Sequence, residues 1–197
     1  MIAIFDYGAG NLRSVQNALR EIGAKYTLVD DADGLRAADK IILPGVGHFG
    51  QIMRSLDAMD VREAFLEQMD AGVPFLGICL GLHALFHGSE EAPEVDGLGV
   101  FGETVVRFPA DARVPHMGWN VLEPKQECRL LKGVQERPYV YFAHGYYVPL
   151  MKATAATSDY TGPYTALLEH DNIFGVQFHP EKSGPLGLTI MKNFVEV

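Results

Sequence analysis

The chain is poor in cysteine, in basic residues and in long apolar runs, and each shortage removes a class of answers. Cysteine occurs twice, as Cys79 and Cys128, too few and too far apart for a disulfide framework to be deduced from the count. With no secretory signal, the expected compartment is a reducing cytosol. The apolar run Ile2–Phe5 has no basic stretch before it and stops at Asp6, so it reads as a first strand. No uninterrupted apolar stretch approaches the roughly 18 residues a membrane helix needs. Lysine and arginine total 16 against 25 aspartates and glutamates, a formal net charge of −9. That balance argues against nucleic acid or anionic membrane as the main partner. Repeats, linkers and low-complexity tracts are also missing, so residues 1–197 are expected to form a single domain.

What remains is an ordinary globular composition, 48% hydrophobic and 21% charged, with enough length for a sizeable core. Residues 12–22 carry Leu12, Val15, Leu19 and Ile22 at helical spacing. Stretches 26–29 and 40–43 read as the next strands. Met53, Leu56, Met59, Phe65, Leu66 and Met69 predict two helices, or one bent helix, over 51–69. A buried strand over 73–78 and a short helix over 80–86 follow. This alternation predicts a parallel sheet covered by helices on both faces. The second half reads as strands over 100–108, 119–122, 139–142, 164–169 and 173–178, with Asp171-Asn172 as a hairpin turn. A helix over 185–195 follows them. The expected fold is α/β: three layers, a mostly parallel central sheet with helices on both faces, and a β-rich annex from the second half.

Three segments carry chemistry. Gly77-Ile78-Cys79-Leu80-Gly81 sits where a buried strand meets a helix and has the shape of a nucleophile elbow with cysteine in place of serine. A turn that sharp strains the backbone at Cys79, and side chains two residues either side would collide. It also places the sulfur at a helix N-terminus, where N–H groups and the macrodipole favour thiolate. Taken alone, the motif serves equally as a buried cysteine between packing glycines. Phe178-His179-Pro180-Glu181 follows a strand end, where catalytic groups collect in parallel sheets. Pro180 biases His179 toward an extended conformation, so Glu181, two residues on, can hold one imidazole nitrogen while the other faces a thiol. Without the cysteine, His-Pro-Glu would read as a surface turn.

The third segment, Leu43-Pro44-Gly45-Val46-Gly47-His48-Phe49-Gly50, has glycines that free backbone N–H groups to turn toward a ligand. Acyl chemistry at Cys79 needs two donors aimed at a developing oxyanion. One is the Leu80 amide; the other comes from Val46 or Gly47. An ordinary tight βα turn accounts for the same residues. Gly8-Ala9-Gly10 lacks the third glycine of a dinucleotide loop. His83 and His87 stand at i, i+4 without a third ligand, and Cys128 has no elbow. No metal and no cofactor is expected.

Together these segments resemble the class I (triad) glutamine amidotransferases, whose members share the Gly-Ile-Cys-Leu-Gly elbow and Phe-His-Pro-Glu. Further stretches are similar to the glutaminase subunits of imidazole glycerol phosphate synthase, an enzyme of histidine biosynthesis. These are Asp6-Tyr7-Gly8-Ala9-Gly10-Asn11-Leu12-Arg13-Ser14-Val15, Pro44 to Gly50, Pro115-His116-Met117-Gly118-Trp119-Asn120, Tyr141-Phe142-Ala143-His144, and Gly175 to Ser183. The resemblance covers nearly the whole chain and implies a flavodoxin-like fold. It further implies that Cys79 forms a γ-glutamyl thioester, with His179 as base and Glu181 as its partner. Glutamine would be held by Gly45, His83, Glu91, Gly145 and Tyr146. The ammonia would pass to a cyclase subunit, a (β/α)₈ barrel, in a heterodimer whose interface includes Asn11, Trp119, Tyr141 and Lys182.

Two positions depart from the family pattern. His83 stands where the elbow helix often carries Gln, and His144-Gly145-Tyr146 replaces His-Ser-Tyr. A neutral imidazole at 83 offers glutamine one donor and one acceptor. Its protonation is expected to raise KM for glutamine as pH falls from about 8 to about 6. Other readings are a glutaminase of a different amidotransferase pathway and a non-catalytic binding protein of the same fold. The intact Cys79, His179 and Glu181 set argues against the second.

Overall fold

The computed structural model describes every residue except Glu136. The first half runs β1 (Ile2–Phe5), α1 (Leu12–Glu21), β2 (Tyr26–Val29), α2 (Ala32–Arg36), β3 (Lys40–Gly45), α3 (Phe49–Ala58), α4 (Arg62–Asp70) and β4 (Phe75–Cys79). Then come α5 (Leu80–His83), β5 (Phe86–Ser89), β6 (Phe101–Arg107), β7 (His116–Val121), β8 (Glu123–Pro124), β9 (Tyr139–His144) and β10 (Tyr146–Tyr147). The chain continues through β11 (Thr154–Asp159), β12 (Pro163–His170), β13 (Ile173–Val176) and α6 (Gly184–Glu196).

Among the described residues the main sheet has eight strands in the order β2-β1-β3-β4-β13-β12-β11-β8. The pairings from β2 across to β13 are parallel; those from β13 out to β8 are antiparallel. Period-two alternation gives the sheet two apolar faces. Ala3, Phe5, Ile41, Leu43 and Phe75 cluster with α3 and α4 through Ile52, Leu56 and Phe65. Ile2, Ile4, Ile42, Leu76 and Ile78 cluster with α1 and α6 through Val15, Leu19, Ile190 and Phe194. The three layers follow from that division.

The apolar stretch over 51–69 takes the first of its two expected forms, two helices divided where Asp60 adopts φ +54°. The structure departs from the sequence reading in two places. The helix expected over 80–86 ends at His83 and the chain enters a strand at Phe86, whose ring stacks on Phe101 at 5.3 Å across β5 and β6. The strands expected in the annex, β12 and β13, instead extend the central sheet, together with the unexpected β11. The sequence of β11, Thr-Ala-Ala-Thr-Ser-Asp, is buried over five successive residues. It therefore shows no alternation, and its alanines and aspartate carry little β-propensity. The annex itself consists of the small sheets β10-β6-β5 and β7-β9.

One consequence positions the site. Strands β3, β4 and β13 are parallel neighbours, with Gly45 opposite Cys79 and Val176 opposite Ile78. The three segments singled out in the sequence therefore emerge side by side at the C-terminal edge of the sheet, where parallel sheets place their ligands.

Candidate active site

Cys79 ends β4 with φ +53° and ψ −104°, a conformation that costs a non-glycine residue about 1–3 kcal/mol. The flanking glycines make it attainable. A Cβ on Gly77 would lie 2.5 Å from the Gly81 carbonyl oxygen, and one on Gly81 would lie 1.9 Å from the Leu43 carbonyl oxygen. Gly45 packs as tightly, since its Cβ would meet the Gly81 nitrogen at 2.7 Å. Helix α5 is a single turn, four residues long. Its macrodipole is accordingly small, because peptide dipoles must add along a helix to matter. The positive field expected at the sulfur comes chiefly from another source.

That source is His179. Its backbone is extended, φ −100° and ψ 95°, as the following proline requires. The chain then turns: Pro180–Lys182 is a 3₁₀ helix, and this turn, not a continuing strand, brings Glu181 Oε1 to 2.9 Å from His179 Nδ1. Both side chains are almost wholly buried. Burial lowers the imidazole pKa, but interactions with Cys79 and with Glu181 outweigh it and raise the value to about 10. An imidazolium beside a sulfur favours its thiolate form. Ser183 Oγ donates to the His179 carbonyl at 2.7 Å and accepts from the Tyr141 N–H at 3.0 Å, tying this turn to β9.

A cavity of about 310 Å³ opens over the sulfur. It is lined by Cys79 and His179, by Val46, Gly47 and Leu80, and by His83, Glu91, Gly145, Tyr146 and Lys182. Glu181 and Gly45 stand behind the lining, as orienter and as packing. A larger cleft of about 650 Å³ lies around Arg129 and Glu169. It holds Cys128, whose thiol is pushed up to about 12 by burial and by the neighbouring Glu169 carboxylate, the opposite of an activated nucleophile. Size therefore does not select the site; the nucleophile–base pair does.

The remaining expected contacts are arranged as follows. Gly47 has φ +102°, open only to glycine without strain. The Val46 N–H donates to the Tyr7 hydroxyl at 3.3 Å. Glu91 Oε2 accepts from the Phe49 N–H at 2.7 Å, linking it to the segment that carries Val46 and Gly47. His144 Nδ1 donates to the Tyr146 carbonyl at 2.9 Å. Its Nε2 therefore accepts from His116 Nδ1 at 3.2 Å, and the pair fixes the wall formed by Gly145 and Tyr146.

His83 lines the cavity, but its titration differs from expectation. Its Nε2 lies 2.7 Å from Gln177 Oε1, and burial pushes its pKa down to about 4. Burial thus favours the neutral imidazole between pH 8 and 6, which argues against the expected acid dependence of KM through this residue. The sequence reading also overlooked Gln177 and Tyr7. Gln177 was detectable by period two, which projects it to the same side as His179; Tyr7 was detectable as the residue two past a strand end on the same edge.

The expected interface residues gather on that edge too. Trp119 is 56% exposed, and Met117 and Tyr139 are exposed beside it on the β7–β9 ribbon. The Trp119 ring meets Tyr141 edge-on at 6.1 Å, and Lys182 Nζ lies 5.9 Å from the Tyr141 ring centre. Asn11 precedes α1 and accepts from Ser14 Oγ at 2.9 Å. Among the described residues no three His, Cys, Asp or Glu side chains gather as metal ligands, and no helix is long and apolar enough to cross a membrane.

Comparison with known proteins gives the family. The class-I glutamine amidotransferase family profile matches residues 3–197. The imidazole glycerol phosphate synthase subunit HisH of Methanothermobacter thermautotrophicus is 48% identical over all of this chain and 98% of its own length. The protein of the same name from Desulfitobacterium hafniense is 46% identical over 98% of this chain and 93% of its own. A crystal structure of a glutamine amidotransferase superposes with a TM-score of 0.78 at 20% identity, over 99% of this chain and 97% of the other, which speaks to the fold. The chain belongs to the class-I glutamine amidotransferase family, on the branch of the imidazole glycerol phosphate synthase subunits.

Proposed function

We propose that this chain is the glutaminase subunit of an imidazole glycerol phosphate synthase, working in the cytoplasm as one domain beside a cyclase subunit. The observation that carries the reading is the convergence of Cys79, His179 and Glu181 on one cavity at the ends of β4 and β13. The Cys79 thiolate attacks the carboxamide carbon of glutamine. The resulting oxyanion is met by the Leu80 N–H and by the amide of Val46 or Gly47, an arrangement in which each donor contributes about 10²–10³ to kcat. His179, protonated by the thiol, gives its proton to the departing nitrogen as the C–N bond breaks, and ammonia leaves. Water, deprotonated by His179, then attacks the γ-glutamyl thioester, the C–S bond breaks, and glutamate is released with the thiolate restored. Glu181 holds the imidazole by Nδ1 and stabilises its charged form. Glu91 offers a carboxylate to the α-ammonium group of glutamine.

The patch of Met117, Trp119, Tyr139 and Tyr141, with Lys182, supports a docking face for the cyclase, since exposed aromatics dominate such interfaces. Ammonia passes across it to a phosphorylated ribulosyl aminoimidazole carboxamide nucleotide, yielding imidazole glycerol phosphate and aminoimidazole carboxamide ribonucleotide. Glutamate release on mixing this chain with a cyclase subunit and that nucleotide tests the reading. Stimulation specific to the pair is expected; glutamate release indifferent to the cyclase would count against it.

A further inference from the structure

We propose that Gln177 is a catalytic contact of Cys79, donating an amide N–H to its sulfur, and that His83 is the positioning residue that holds Gln177 in the donating orientation. This rests on the reading of Cys79 as the nucleophile. Gln177 Nε2 lies 3.7 Å from Cys79 Sγ, while Gln177 Oε1 lies 2.7 Å from His83 Nε2. Gln177 has no exposed surface and His83 is 4% exposed, so water does not compete for either edge of the amide. The local structure brings the three together. Gln177 and His179 stand two apart beyond β13 and face one side, with Phe178 turned into the core between them. His83 follows Cys79 by four residues, one helical turn, and so returns to the same side.

An amide has one accepting and one donating edge, and its only choice in this site is which edge faces the sulfur. His83 decides it. With its proton on Nε2, the imidazole demands the carbonyl edge, and the NH₂ edge is left for Cys79. The opposite flip sets N–H against N–H at His83 and a carbonyl against a sulfur that must become negative. A donor to sulfur favours thiolate over thiol, because a hydrogen bond to the charged form is the stronger one. The division of labour is then clear: His179 moves the proton, and Gln177 stabilises the charge without taking a proton.

Alkylation of Cys79 by iodoacetamide, followed by peptide mapping against pH, tests this without glutamine. The titratable groups around the sulfur are His179 with Glu181 behind it, Tyr7 beyond β1, His144 on β9 and His83 on α5, with Glu91 and Lys182 on the cavity wall. A change at Gln177 leaves that set intact. Gln177→Met keeps the volume and removes the donor. It is expected to slow alkylation about tenfold near pH 7, the worth of a hydrogen bond to a charged group, with the deficit shrinking as pH rises. His83→Leu should share the deficit, and His83→Gln, which keeps a donor toward Gln177 Oε1, should recover most of it. Equal rates for the wild type and Gln177→Met, or a deficit unchanged across pH, overturn the proposal. If Gln177→Met does not fold, the two His83 variants decide on the same criterion. A wild type that is not labelled at Cys79 removes the nucleophile itself, a failure distinct from an unchanged variant.

Discussion

The Tyr7 hydroxyl accepts a hydrogen bond from the Val46 N–H at 3.3 Å and reaches the Val46 carbonyl oxygen at 3.5 Å. Burial pushes the Tyr7 pKa up to about 12, so the phenol stays protonated and can hold both groups. An amide turned toward Tyr7 is not free to meet an oxyanion above Cys79. Tyr7→Phe releases it, and the free chain should hydrolyse glutamine about 3–10-fold faster, the value of one neutral hydrogen bond. Stimulation by the cyclase should shrink by the same factor. Steady-state glutamate release with and without the cyclase measures both; a slower free chain would mark Tyr7 as a support for the loop.

The buried histidines set an acid limit to stability. The His83 pKa is lowered from 6.5 to about 4 by burial, so between those values the unfolded chain takes up a proton that the folded chain refuses. Stability is therefore full above about pH 6.5 and falls as pH drops toward about 4. His144, lowered by burial to about 3, acts in the same direction over a wider range. His83→Gln should make the slope of unfolding free energy against pH shallower by close to one proton in that window. Urea titrations at a series of pH values check this, and an unchanged slope would contradict the burial argument.

Trp119→Ala should separate docking from folding. The side chain is more than half exposed and stands against Tyr141 at the surface. Removing it is expected to weaken cyclase binding by about 2 kcal/mol, roughly thirtyfold. The unfolding free energy should move by no more than about 0.5 kcal/mol. Calorimetric titration with the cyclase and thermal unfolding of the free chain measure the two sides.

Gly81→Ala should be among the most damaging single changes. Its methyl group would lie 1.9 Å from the Leu43 carbonyl oxygen, a backbone atom of a central strand that has no room to retreat. A loss of about 3 kcal/mol or more is expected. Gly8→Ala, by contrast, meets nothing within 4 Å and is strained only by φ +82°, so its loss should be smaller. Comparison of the two melting curves gives the answer.

Much of this was legible because one physical cue dominated each element. Alternating strands and helices announced the parallel sheet, and the glycines around Cys79 announced the elbow, since only their absence of Cβ lets α5 lie on β3. Elements lacking such a cue were not readable. β11 is buried on both sides and shows no period, and Phe86 extends an apolar run that suits helix and strand alike. The partners of the site were harder still. Gln177, Tyr7 and His116 act through contacts made by residues far apart in sequence, 94 positions between His83 and Gln177 and 39 between Tyr7 and Val46. His83 was placed on the right face, but its charge state depends on burial by neighbours that spacing does not reveal.

Cys79→Ala in the reconstituted complex tests the central claim most directly, because it separates ammonia production from ammonia use. On the proposed reading Cys79 belongs only to hydrolysis of glutamine, whereas the cyclase needs only ammonia. Product formation should therefore vanish with glutamine as nitrogen source and persist, largely intact, when ammonium salt is supplied instead. Synthesis that continues from glutamine, or synthesis lost with both nitrogen sources by a complex that still assembles, would contradict the account.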